Sequence, residues 1–382
     1  EEKVGSLIRV LAVQFPILSI TVIPQSMLMR DMNFKKLSIV EAIASVLGSI
    51  TGLLFALNGF GVWSLVISVV STVFCRAALL NANLTYVFFP HFPHFSSMRS
   101  IYSFGGYMTI NRLLWFIFTQ ADIFIIGKLL GKQILGIYSV ASEIAALPMD
   151  KISSVLNQVA FPAFSRIQND LALVRSHFLK AIRLLSLMSF AMLWGISSIA
   201  PEAVAVLFGE KWLDASLSLQ VLSLVIPLRM LNGVLTQVLN GLGKAEISMK
   251  NAMCAAIVMP FSILVGIHWG ISGVLLAWVI AYPLVFLNNV HRSVAILGLK
   301  MKDVLSCMRE PVLCSSIMYV GVYFFKMILM SSMPLFMLFL ILIVNGMLIF
   351  VLSIYFISPN LFKEVVNLFR RRIYNPEIVS IK

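Results

Sequence analysis

Charge is what this sequence has least of. Asp, Glu, Lys and Arg together make up 12% of its 382 residues, against a hydrophobic share of 60%. Soluble chains carry about 25% charged and about 45–50% apolar residues. So few charges cannot coat a water-facing surface, and the composition identifies an integral membrane protein. The same shortage excludes a disordered chain, a secreted disulfide scaffold and a nucleic-acid-binding domain.

Cysteine is scarce too. Cys75, Cys254, Cys307 and Cys314 sit in apolar runs without CxxC spacing, which argues against a redox pair or a metal site. The five histidines are scattered over loops and span ends; His91 and His94, three apart among prolines, make a weak metal pair. No Ser–His–Asp set, no paired outer-face carboxylates and no Gly-rich phosphate loop appear, so no catalytic constellation, cofactor or metal is expected. Period-two alternation is wanting, which excludes a β-barrel.

Long apolar runs are what the chain does have. A bilayer core about 30 Å thick needs roughly 20 apolar residues per helix. Stretches of that kind fall near 7–28, 38–58, 61–84, 101–127, 135–165, 177–200, 214–240, 248–268, 271–291, 306–329 and 334–357, and predict eleven transmembrane helices. The run over 135–165 is too long for one perpendicular crossing and is interrupted by Pro148.

Net charge is +13, from 29 basic and 16 acidic residues. Its placement is informative. Alternate loops carry 18 Lys and Arg, including Arg30, Lys35, Lys36, Arg166, Arg175, Lys250, Lys300 and Arg370–Arg372. The intervening loops carry three: Lys128, Lys132 and Lys211. The positive-inside rule puts the first set and the C-terminus in the cytoplasm and Glu1 outside. Arg76 and Lys326, within spans but close to their ends, are expected to snorkel to the interface.

A weak repeat runs through the chain. A shift of 212 residues places Gly61-Val62 on Gly273-Val274 and Gln25 on Gln237, and aligns the boundaries of the first three spans with those near 214–291. Such a repeat preserves orientation and implies an axis along the membrane normal. Two repeats of six helices would require about three more helices ahead of residue 1.

Polar residues sharing a face inside a span are the candidate site, because an ionisable group facing lipid costs several kcal/mol. Asn111, Arg112, Trp115, Thr119 and Asp122 lie within about 100° of helix surface. They read either as a packing network, with Arg112 and Asp122 in ion pairs, or as a cavity wall. Arg229, Asn232, Thr236 and Asn240 form a second such face, with Pro227 inviting a kink. Glu143 reads as a buried hydrogen-bonded acid or as a coupling carboxylate. Arg112, Arg229, Asn111, Asn232, Thr236 and Asn240 are the candidate substrate-binding residues, with Asp122 and Glu143 as charge or coupling partners.

Several stretches carry a resemblance: Val22–Lys36 (VIPQSMLMRDMNFKK), Gly59–Val66 (GFGVWSLV), Ala121–Gly131 (ADIFIIGKLLG) with Leu135–Ser139 (LGIYS), Phe161–Gln168 (FPAFSRIQ) and Leu207–Trp212 (LFGEKW). In order and spacing they resemble the polysaccharide-transport, Wzx-type branch of the oligosaccharide flippases, most of all its colanic-acid exporter subgroup. Multidrug exporters of the MATE type and the lipid II flippase belong to the same superfamily. The resemblance implies an all-α integral membrane fold: a MATE-like bundle of two six-helix lobes around a cavity, with two extra helices. On that plan residues 1–100 are the remainder of the N-lobe, 101–300 the C-lobe, 301–360 the additional helices and 361–382 a basic cytoplasmic tail; about three N-terminal helices are lacking. It further implies alternating access in a bacterial inner membrane, moving an undecaprenyl-diphosphate-linked oligosaccharide among membrane lipids for exopolysaccharide or lipopolysaccharide biosynthesis. Proton or sodium coupling, a polysaccharide polymerase and assembly proteins come with the family; nucleic acid does not. Two alternatives remain at this point. A cation-coupled drug exporter would favour acidic and aromatic cavity residues. A membrane glycosyltransferase or polymerase would need a sizeable outer loop with His or acidic residues.

Overall fold

The computed structural model describes residues 2–82, 99–329, 333–359, 361–363 and 367, with the side chains of 2–4, 99–101 and 153–158 outside the description. His91, His94 and Arg370–Arg372 likewise lie outside the described residues. Within them the chain forms α-helices with short turns and no strand. Their order is α1 (Glu2–Ala12), α2 (Gln14–Arg30), α3 (Phe34–Leu57), α4 (Trp63–Ala82), α5 (Arg99–Leu129), α6 (Lys132–Arg166) and α7 (Leu171–Ser198). Then follow α8 (Ala200–Phe208), α9 (Ala215–Gly241), α10 (Ala245–Gly266), α11 (Gly270–Leu297), α12 (Met301–Leu329) and α13 (Leu335–Ile357).

The apolar runs expected to cross a membrane fall on these helices, the first of them, 7–28, shared between α1 and α2. Nine segments among the described residues are long and apolar enough to span, one of them, Ala245–Leu297, containing both α10 and α11; the expected span 135–165, on α6, is not among them. In α6 the chain passes through Pro148 and Pro162 as one helix of 35 residues, so the expected interruption at Pro148 does not occur. At 1.5 Å per residue it is about 52 Å long, well beyond a hydrocarbon core of about 30 Å. Polar side chains cap the starts of two helices. Asn33 Oδ1 accepts from the Lys36 amide ahead of α3, and Asp170 Oδ1 from the Leu173 amide ahead of α7.

The chain divides into two compact units, 1–98 and 99–382. In the first, α2 and α3 pack on α4. At Gly48 an added Cβ would overlap Thr72 Oγ1, so the α3 backbone lies directly on α4. Such small-residue contacts bring helix backbones together where the hydrophobic effect offers no drive. Arg76 does not simply snorkel. It bridges three helices, 2.6 Å from Glu41 on α3 and donating to Gln25 on α2 at 3.1 Å.

The second unit is built around α9. Seventeen of its 27 residues are buried, as befits a helix apolar on most sides. It packs against α6, α7 and α11; α10 lies on α5 and α11, and α12 on α7 and α13. The α10–α11 turn is closed at Gly266 and Gly273, where a Cβ on either would run into the other's backbone. Lys326 at the end of α12 reaches Glu202 in the first turn of α8 at 2.7 Å, with side-chain exposures of 15% and 7%. It is held in a shielded ion pair rather than snorkelling freely.

Candidate functional site

The polar residues of the second unit's interior gather where α5, α6, α9 and α11 meet. Phe118 and Asp122 are one turn apart on the buried stripe of α5, and Trp278 and Tyr282 one turn apart on that of α11. Tyr138 comes from α6 and Arg229 from α9. Asp122 is 5% exposed and Tyr138 not at all. Tyr138 Oη donates to Asp122 Oδ2 at 2.6 Å, while Asp122 Oδ1 accepts from the Ile123 amide at 2.8 Å. Trp278 Nε1 donates to Tyr138 Oη at 3.1 Å.

The Arg229 guanidinium lies over two rings, 5.2 Å from the centroid of Trp278 and 5.5 Å from that of Phe118. Both separations are in the range of a cation–π contact. The Arg229 Nε is buried and has no hydrogen-bond acceptor among the described residues. A guanidinium offers five N–H donors and cannot shed its proton in a protein. One shielded by rings and lacking an acceptor is a ready anion ligand.

A second polar run continues along α9, α10 and α11. Asn289 Nδ2 donates to Asn232 Oδ1 at 3.1 Å, and Asn251 Nδ2 to Ser293 Oγ at 3.2 Å. Thr236 Oγ1 turns back to the Asn232 carbonyl of its own helix. Asn240 is buried, and its Oδ1 has no partner among the described residues.

The structure therefore buries Asp122, Asn232 and Asn240, leaves Arg229 half-buried, and separates others from them. Arg112 is exposed, with no polar partner among the described residues. It stands ten residues before Asp122 on the same helix, about 15 Å along the axis. Asp122, expected as a charge partner, is instead hydrogen-bonded by Tyr138 and the Ile123 amide. Asn111 is half-buried. Glu143 is exposed on α6, so it is not a buried hydrogen-bonded acid. Phe118, Tyr138, Trp278 and Tyr282 were not singled out from the sequence. Their i, i+4 aromatic–polar and aromatic pairs are the signal that was there to find, but such pairs also occur on ordinary core faces.

Residues 1–217 match the family model described as polysaccharide biosynthesis protein. The chain belongs to that family. Among curated relatives, the teichuronic acid biosynthesis protein TuaB of Bacillus subtilis is 30% identical over 73% of this chain and 58% of its own length. The succinoglycan biosynthesis transport protein ExoT of Rhizobium meliloti is 30% identical over 54% of this chain and 42% of its own. The lipopolysaccharide biosynthesis protein WzxC of Escherichia coli is 24% identical over 67% and 52%. The chain thus spans about half the length of the curated relatives it matches. Among solved structures, the lipid II flippase MurJ in an inward closed conformation superposes with a TM-score of 0.65 at 16% identity, covering 93% of this chain and 74% of that one. At that identity the likeness is one of fold. These relatives are named for teichuronic acid biosynthesis, succinoglycan biosynthesis transport and lipopolysaccharide biosynthesis, and this chain is a multi-pass membrane protein, helical among its described residues.

Proposed function

We propose that the protein takes part in flipping a lipid-linked oligosaccharide, of the undecaprenyl-diphosphate class, from the cytoplasmic to the outer leaflet of a bacterial inner membrane. The observation that carries this reading is the polysaccharide-biosynthesis family match on a chain folded like a lipid II flippase. ExoT is named a transport protein and WzxC a lipopolysaccharide biosynthesis protein, and both roles suit the same step.

The chemistry of the interior agrees with such a cargo. A diphosphate suits a guanidinium, whose planar fork of donors matches phosphate oxygens. Arg229 is the substrate-facing cation on this reading, and Asn232, Thr236 and Asn240 extend along the same helix as groups for sugar hydroxyls. Asn111 and Arg112 on α5 form a second contact surface, with Arg112 as an accessible cation. Asp122 balances Arg229 between substrates. Residues 1–100 act as the remainder of an N-lobe, 101–300 as a C-lobe and 301–360 as an accessory helix pair. Transport, not covalent chemistry, is the activity.

The test is complementation in a strain deleted for its own exporter, using the full-length gene product and following surface polysaccharide against protein abundance. Arg229→Ala is expected to abolish export at normal abundance, and Arg229→Lys to keep part of it. Normal export by Arg229→Ala would return Arg229 to a packing role.

A further inference from the structure

We infer that Trp278 is a positioning residue for the anion site, acting on Arg229 through its ring face and on Asp122 through its indole N–H and Tyr138. The inference rests on the reading of Arg229 as the anion-binding group. Indole Nε1 is a donor only. Tyr138 Oη must therefore accept from Trp278, at 3.1 Å, and its own hydrogen is left for Asp122 Oδ2, at 2.6 Å. The other carboxylate oxygen is taken by the Ile123 amide. The relay has one polarity, from Trp278 through Tyr138 to Asp122, and it fixes the carboxylate on two sides. The ring of the same Trp278 lies 5.2 Å from the Arg229 guanidinium.

One buried side chain, 2% exposed, thus sets the positions of both charges. Arg229 is held by ring faces, and its Nε makes no hydrogen bond among the described residues. Its donors consequently stay available to an incoming phosphate, whereas a direct bidentate pair with Asp122 would occupy them. Keeping the carboxylate turned toward Tyr138 leaves the arginine charged, compensated and unbound.

The experiment uses full-length protein in detergent and measures binding of undecaprenyl diphosphate, with undecaprenol as the control lacking phosphate. Tyr138→Phe removes the relay hydroxyl; Trp278→Phe removes the indole N–H but keeps a ring under Arg229. Each is expected to weaken undecaprenyl diphosphate binding about tenfold, without a comparable change for undecaprenol. The double variant should bind no more weakly than Tyr138→Phe alone, because with the hydroxyl gone the indole N–H has nothing to position. Thermal unfolding of each variant separates a loss of positioning from a loss of fold. Arg229→Ala distinguishes the two levels of argument. If it binds undecaprenyl diphosphate like the parent, the anion-site reading itself fails. If it loses binding while Tyr138→Phe and Trp278→Phe match the parent, or their effects add independently, the anion site stands and the positioning role is overturned.

Discussion

At the scale of single residues, the interior is organised by a few charges that sequence periodicity located but could not pair. Helical spacing put Arg229 and Asp122 on polar faces of their own helices. What spacing cannot give is which helix lies opposite, and there the true partners were Tyr138, Trp278 and Phe118. Of the ion pairs expected for Arg112 and Asp122, Arg112 makes none among the described residues, because it is exposed on α5. Lys326 is a parallel case: its position suggested snorkelling, and only packing reveals Glu202 beside it. The consequence is measurable. Lys326→Met strands Glu202, whose Oε2 already has no partner among the described residues, and removing one member of a buried pair costs about 3–5 kcal/mol. Thermal unfolding in detergent should drop clearly for Lys326→Met and recover in the Lys326→Met, Glu202→Gln double variant. A double variant as unstable as the single would mean that the pair is incidental.

Elements were the most legible level. Apolar runs marked helices because a bilayer leaves an unpaired backbone no other way to satisfy its own hydrogen bonds; ten of the eleven fall in segments long and apolar enough to span, and the run over 135–165 does not. Proline misled in α6, since a long helix can absorb Pro148 when neighbours and side chains cover the freed carbonyl. The repeat is also visible in the elements: moved by 212 residues, α2, α3 and α4 fall on α9, α10 and α11. What makes each hairpin differs. The α3–α4 pair closes on Gly48 against Thr72, and the α10–α11 pair on Gly266 against Gly273. Because backbone, not a yielding side chain, faces Gly273, Gly273→Val should force α10 and α11 apart, with a loss of at least the 1–3 kcal/mol typical of overpacking. Gly136→Ala on α6, with open space around its Cβ position, is the matched control and should be nearly silent. Equal thermal stability of Gly273→Val and the control would show that the hairpin can open without penalty.

For the whole molecule the open quantity is its orientation in the membrane. The loop charges and the contacts they make bear on it together. The loop count is 18 basic residues against three. The contacts are bonds inside unit 99–382. Arg175 near the start of α7 donates to the Leu297 carbonyl at the end of α11, Arg183 pairs with Glu310 on α12 at 2.7 Å, and Arg292 on α11 reaches the Lys250 carbonyl on α10. These contacts gather the basic ends of α7, α10, α11 and α12 at one pole of the unit. The Glu202–Lys326 pair ties α8 to the far end of α12, at the other pole. A set of basic side chains already committed to one pole cannot be split between two compartments by a different threading of the loops. The positive-inside rule then predicts that pole to be cytoplasmic. In a cysteine-free background, Asn169→Cys and Lys250→Cys should react with a membrane-impermeant maleimide only after the membrane is opened, and Asn58→Cys in intact cells. Asn169 is preferred to Asp170 because Asp170 caps α7. Labelling of Asn169→Cys from outside would invert the protein, and with it the leaflet from which Arg229 first meets a phosphate.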